Sequence, residues 1–173
     1  MYENAVLIAL GSSLGGRFGS CEAAVEAAIG QIARAGFRVV ARSSLWRSAS
    51  WPDPALPDYI NALAIVETPL GAAETLEHLH AIEAEFGRAR AAANAARNAL
   101  RNAPRVLDLD LIAHGRAVID QEGLVLPHPR AAERLFVMGP LAEIAPAWRH
   151  PVSGETARAL AAGATVGRDA RPL

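Results

Sequence analysis

Asp108 and Asp110 are the residues of this chain best suited to chemistry, two carboxylates in the run RNAPRVLDLD that spans 101–110. From Val106 to Ile112 the residues alternate in character, and a period of two predicts a β-strand. One face then carries Val106, Asp108, Asp110 and Ile112, while Leu107, Leu109, Leu111 and Ala113 take the other, which reads as core. Carboxylates at i and i+2 on a strand stand roughly 6–7 Å apart at Cα. That spacing suits two divalent cations about 3.5–4 Å apart, the arrangement used for in-line phosphoryl transfer. Without a cation or an arginine beside them, the two like charges would repel across the strand. An isolated D-x-D also occurs on the solvent side of a sheet, so the neighbouring sequence has to decide.

Between Arg88 and Leu107 the chain carries Arg88, Arg90, Arg97, Arg101 and Arg105 and no acidic residue. Guanidinium groups next to a carboxylate pair match a polyphosphate with its magnesium: arginine grips the outer oxygens and the carboxylates grip the metal. Arg88 and Arg105 flank the segment at the ends of regular elements and read as functional. Arg97 and Arg101 read as solvated residues of a loop rich in Ala and Asn. All 17 basic residues of the chain are arginine. The absence of lysine excludes Schiff-base chemistry and the lysine-dependent P-loop.

The elements that must position these residues can be read in order. Asn4 to Leu10 is a short apolar run, a buried first strand, and Gly11 to Gly16 turns from it into a helix over about 17–35 with Val25, Ala28, Ile29 and Ile32 on its buried side. Phe37 to Arg47 reads as one strand. Pro52, Pro54 and Pro57 make 48–58 a loop that cannot pair within a sheet; its Trp51 is either a lid over a planar ligand or packing under the loop. Tyr59 to Glu67 alternates as a further strand, with Tyr59, Asn61, Leu63 and Ile65 on one face. The Asn61 amide there is either a ligand contact or a satisfied internal group.

A second helix over about 72–86 has Leu76, Leu79, Ile82 and Phe86 as its core stripe. His80 and Glu83 are neighbours on its surface, positioned to reach a nucleotide or to be solvated. After the Asp108/Asp110 strand, Gly115 turns the chain and Ala117–Ile119 pairs back as a hairpin. LVLPHPR (124–130) is extended, a helix resuming near Ala131 carries Arg134 and Phe136, and a short helix over 156–162 precedes a loose tail. The order βαββαβ predicts an α+β, ferredoxin-like core with a mostly antiparallel sheet, helices packed on it and a C-terminal extension. That fold hosts many functions.

At 173 residues and 51% hydrophobic content, residues 1–173 are expected to form one domain around one core. No apolar run approaches the roughly 20 residues that span a bilayer, and no basic-then-hydrophobic leader opens the chain. The expectation is a cytoplasmic monomer that does not bind membranes. A single cysteine, Cys21, excludes an internal disulfide and a cysteine-based metal cluster. A net charge of −1 gives no global case for nucleic acid.

The pieces ALGSSLGGR (9–17), SSLWR (43–47), PDYINA (57–62), IEAEFGRAR (82–90), APRVLDLDL (103–111), LPHPRAAERLFV (126–137) and PLAEIAP (140–146) span nearly the whole chain. In this order they resemble the 6-hydroxymethyl-7,8-dihydropterin pyrophosphokinase family of folate biosynthesis. The resemblance implies transfer of the pyrophosphoryl group of ATP to the hydroxymethyl oxygen of 6-hydroxymethyl-7,8-dihydropterin, leaving AMP. It implies that Asp108 and Asp110 bind two Mg²⁺ ions and that Arg88 and Arg105 contact the phosphates. His80, Glu83, His128 and Arg134 would add ATP contacts. Asn61 would hydrogen-bond the pterin, whose ring would lie between Tyr59 and Phe136, with backbone groups near Ser48 and Ala49 completing the pocket.

The chain departs from the family pattern at Ser13, where asparagine is common, at Gly16, His80 and Asn102, and in a longer segment over 91–101. A different reading remains, a non-catalytic nucleotide- or RNA-binding module of the same fold. For an RNA-binding sheet, Asp108 and Asp110 on the open face would repel phosphate unless metal-bound.

Overall fold

The elements run β1 (Val6–Ser12), α1 (Cys21–Arg34), β2 (Arg38–Arg42), β3 (Trp46–Ser48), β4 (Tyr59–Glu67), α2 (Ala72–Glu85), β5 (Asp108–His114), β6 (Ile119–Gln121), β7 (Leu124–Leu126), α3 (Leu135–Ile144), α4 (Ala157–Gly163) and β8 (Arg171–Pro172). The computed structural model describes residues 4–87 and 104–173. One sheet has the order β5-β1-β4-β3-β8, with β2 also paired to β4, and its pairings are antiparallel. No helix among the described residues is long and apolar enough to cross a membrane.

β1 is buried at every position because both faces of the sheet are covered. Val6, Ile8 and Leu10 face α1 and α2, where they meet Val25, Ile29, Ile32, Leu79 and Ile82. Leu7 and Ala9 face the other way and pack with Leu63, Ile65, Val137, Met138, Leu141 and Leu160 beneath α3 and α4. α1 begins where the Ser20 hydroxyl accepts the Ala23 N–H, a side-chain cap. It ends at Arg34, two residues before Gly36, whose φ of 95° is a conformation that a side chain would resist.

Five expectations need correction. The predicted strand over Phe37–Arg47 is two strands: the Ser43 N–H still donates to the Leu63 carbonyl at 2.9 Å, but the return bond goes to its side chain and Ser44 turns its N–H away to Glu143. The Ser43 hydroxyl accepts the Leu63 N–H at 3.0 Å. The Glu143 carboxylate takes the Ser44 N–H, the Ser44 hydroxyl and the Trp46 indole N–H, each at 2.8 Å. The predicted hairpin from Ala117 lies further on: β6 pairs with β7 around Gly123, which has a φ of 81°. Ala113 does not share the leucine face of β5. A bulge opposite Leu7 and Ile8 shifts the alternation, and Ile112 and Ala113 both enter the α3/α4 side.

The C-terminal end is also not a loose tail. Leu135 donates its N–H to the Val166 carbonyl, β8 pairs with β3, and the Leu173 N–H reaches the Leu45 carbonyl. The helix expected near Ala131 begins at Leu135 instead, with Arg134 in an extended conformation at its N-cap. Arg134 is held there by a bridge to Val166, so the tail competes successfully with the first helical turn.

Candidate functional site

The cleft opens where β1 ends and β4 and β5 begin. Antiparallel pairing sets Gly11 between Asp108 on one side and Asn61 on the other, and sets Ala9 between Asp110 and Leu63. These two small residues form the floor: a Cβ on Gly11 would meet the Tyr59 ring at 3.4 Å and the Asn61 Oδ1 at 3.6 Å. Larger side chains at 9 and 11 would fill the space between the carboxylates and the amide. Neither floor residue was singled out from the sequence, although period two across NAVLIALG places both opposite Leu10.

At one end of the cleft Asp108, Asp110, Arg105 and Arg134 line the wall. The Arg105 guanidinium donates to Asp108 Oδ1 at 3.1 Å. Burial is the largest single influence and works against the Arg105 charge, but Asp108, Tyr59 and Glu83 together outweigh it and hold the guanidinium above its ordinary pKa. The main chain of Arg105 is gripped as well: Ser13 and Leu14 N–H groups donate to its carbonyl, and the Ser13 hydroxyl accepts its N–H, all at 3.0 Å. The departure from asparagine at Ser13 therefore still supplies an acceptor. The Arg134 pKa is lowered, by burial first and by Arg130 second, against the pull of Asp110. Its Nε is buried and has no hydrogen-bond partner among the described residues. A buried donor in that state is costly unless a ligand oxygen meets it.

At the other end Ser48, Ala49, Trp51, Tyr59, Asn61 and Phe136 line the same cleft. Asn61 is 6% exposed, and its Nδ2 donates to the Ser48 hydroxyl at 2.9 Å. That bond fixes the amide with its oxygen toward Gly11 and the floor. Phe136 sits in the first turn of α3, with the Arg134 guanidinium 5.6 Å from its ring centre. Trp51 stays 42% exposed at the rim, where the Arg130 guanidinium lies 5.1 Å from its ring centre. This places it at the mouth rather than under the loop.

The remaining expected contacts are arranged differently. His128 is beside the cleft, not on its wall; its N–H donates to the Ile112 carbonyl at 2.8 Å and its Nδ1 accepts the Arg130 N–H at 3.2 Å. Burial, followed by the nearby Arg134 charge, pushes its pKa down to about 4. The ring is neutral near pH 7 and offers Nε2–H as a donor.

Glu83 is not on the helix surface. It is 0% exposed and accepts the Leu109 N–H at 2.8 Å, so it holds β5 from behind the sheet. Its position continues the buried stripe of Thr75, Leu79 and Ile82, which a count of apolar letters passes over. His80 lies on the same helix, half-buried, and is not part of the cleft wall. Arg88, with Arg90, Arg97, Arg101, Asn102 and the segment 91–101, lies outside the described residues.

The donor set fits magnesium. Among the described residues no group of three His, Cys, Asp or Glu side chains forms an all-protein cage. Two carboxylates on one strand face, next to arginines, suit a hard ion that takes its other oxygens from water and a substrate phosphate.

The model of the family described as 7,8-dihydro-6-hydroxymethylpterin-pyrophosphokinase (HPPK) matches residues 7–146. A 2-amino-4-hydroxy-6-hydroxymethyldihydropteridine pyrophosphokinase from Synechocystis sp. is 42% identical over 144 residues, covering 83% of this chain and 69% of the relative. A protein of the same name from Methylorubrum extorquens is 39% identical over 151 residues, 87% of each chain. The crystal structure of Plasmodium falciparum HPPK-DHPS with pteroate shares the fold, with a TM-score of 0.67 at 10% identity over 92% of this chain. This chain spans 42% of that longer one. The family match runs from β1 through α3 and takes in both ends of the cleft, and on that match and these relatives the chain belongs to the 7,8-dihydro-6-hydroxymethylpterin-pyrophosphokinase family.

Proposed function

We propose that this cleft passes the pyrophosphoryl group of ATP to the hydroxymethyl oxygen of 6-hydroxymethyl-7,8-dihydropterin, a step of folate biosynthesis. A bond forms between that oxygen and the β-phosphorus, the bond from the β-phosphorus to the α-phosphate oxygen breaks, and AMP departs. The observation that carries this reading is a single cleft lined by carboxylates and guanidinium groups at one end and by an amide and aromatic rings at the other.

Asp108 and Asp110 would hold Mg²⁺, two ions in the full complex, which neutralises phosphate charge and lowers the pKa of the attacking hydroxyl. The protein's part is then positioning and charge stabilisation. Arg105 is oriented by Asp108 and by the Ser13–Leu14 turn, so its guanidinium is aimed before the nucleotide arrives. Arg134 Nε and neutral His128 Nε2–H are donors for nucleotide oxygens, and Arg88 and His80 complete the ATP side. Glu83 acts through Leu109, fixing the strand that carries the carboxylates. Asn61 reads the pterin edge, with Tyr59 and Phe136 on its two faces and the backbone near Ser48 and Ala49 closing the pocket. No general base is assigned.

The sheet order is read as the ferredoxin-like plan with its second strand interrupted at Ser43. One domain over 1–173, acting as a cytoplasmic monomer on small molecules rather than nucleic acid, completes the proposal. Incubation with ATP, Mg²⁺ and 6-hydroxymethyl-7,8-dihydropterin should give AMP and pterin diphosphate in equal amounts. Nucleotide binding without AMP would instead favour the non-catalytic module.

A further inference from the structure

We propose that the last residues of the chain form a strap that sets the pterin end of the cleft, with Asp169 as its positioning residue. This rests on the reading of the Tyr59–Phe136 end as the pterin subsite.

The loop over 49–58 begins at the cleft wall with Ala49, contains three prolines and is largely exposed. Its Ala55 and Leu56 N–H groups bond back to Asp53 within the loop. The Ala49 N–H is the one that reaches another segment among the described residues: it donates to Asp169 Oδ2 at 2.5 Å, a side chain 120 positions away in sequence. An ionised acceptor makes such a bond shorter and stronger than a neutral one would.

The strap reaches the opposite wall as well. A Cβ on Gly167 would lie 2.4 Å from Phe136 Cδ1, so the backbone at 167 rests directly on that ring. Gly167 has a φ of 67°, which lets the chain turn there toward Asp169. On one side of this turn Leu135 bonds the Val166 carbonyl at 2.9 Å; on the other, Arg171 and Pro172 pair with Arg47 and Trp46. Both ends are therefore anchored in regular structure. Between them, Gly167 touches the ring at one wall and Asp169 orients the amide at the other. The strap sets the width between Ala49 and Phe136, the dimension in which a flat heterocycle must fit.

The test is steady-state kinetics on the full chain with each substrate varied, together with thermal melting. Asp169→Ala should raise the KM for the pterin about tenfold, the worth of one charge-assisted hydrogen bond, and leave the KM for ATP within about twofold. Asp169→Asn keeps an acceptor oxygen and should recover most of the loss. Gly167→Ala, which presses on Phe136, should raise the same KM from the other wall. Unchanged KM values in Asp169→Ala would overturn the proposal. So would a parallel rise for both substrates with a matching drop in Tm and no recovery in Asp169→Asn, because that is general loosening. A wild-type protein that yields no AMP would fail the functional reading itself, whereas normal turnover with an indifferent Asp169→Ala fails only the strap.

Discussion

Under α1 and α2 the sheet presents an unbroken apolar surface: Val6, Ile8 and Leu10 of β1, Ile60, Ala62, Ala64 and Val66 of β4, and Leu109 and Leu111 of β5 are all buried in one cluster. The opposite face, drawn from the alternate positions of the same strands, is apolar only beneath α3 and α4. Beyond the start of α3 those positions become Gly11, Asn61, Asp108 and Asp110. Close packing by two long helices leaves a face no room for a charge that cannot be paired. Partial cover leaves one end open as a cleft, where the carboxylates and arginines are only partly buried and Arg105 pairs with Asp108. Glu83 is the informative exception, a carboxylate on the covered side that is tolerated because the Leu109 amide donates to it.

The sharpest way to break this contrast is at Asp110. Asp110→Ala should lower turnover by at least about 10³-fold, as expected for loss of a metal ligand, while leaving pterin binding measurable and the Tm unchanged or higher. Near-normal AMP production by that variant would mean the open end is not the reaction centre. Its neighbour should behave in the opposite way. Leu109→Ala should cost about 3 kcal/mol in urea denaturation through the cavity it leaves, with both KM values of the folded protein within about twofold.

Glu83→Ala should couple the two faces. It orphans the buried Leu109 N–H, costs about 2 kcal/mol and lowers kcat as well, because the strand carrying the carboxylates loses its brace. A stability loss with full kcat would show that the brace has no bearing on the site.

The smallest effect is a pH dependence. His128 has a folded pKa near 4 against an ordinary 6.5, so the unfolded chain takes up the proton first as pH falls. Its contribution to stability is complete above pH 6.5, declines between 6.5 and 4 and is level below 4. Allowing for its contact with solvent, the loss is roughly 1–2 kcal/mol. His128→Gln should flatten that part of a urea-denaturation series measured without metal; an identical slope would remove burial as the cause.

Much of this was legible beforehand because it is local. Alternation at Tyr59–Glu67 defines β4 to the residue, and the i, i+2 pair at Asp108 and Asp110 does share a face. Ser48, Ala49, Tyr59, Asn61, Phe136, Arg105 and Arg134, tied to the site by resemblance or by charge, all line one cleft. What was missed depends on partners far away in the chain. Glu83 looks like a surface residue until Leu109 is set behind it, and the split between β2 and β3 depends on Glu143. The tail looks loose because its hydrogen bonds go to β3, Leu45 and Ala49.

The order of side chains along each strand and helix determined which residues could share a face, since backbone geometry imposes periods of two and 3.6 whatever the rest of the molecule does. Which of those faces would be dry and which would open to solvent was decided only by the tertiary structure. It depends on where α3 begins and where the strap crosses, and those positions are set by contacts between segments that a linear pattern does not contain.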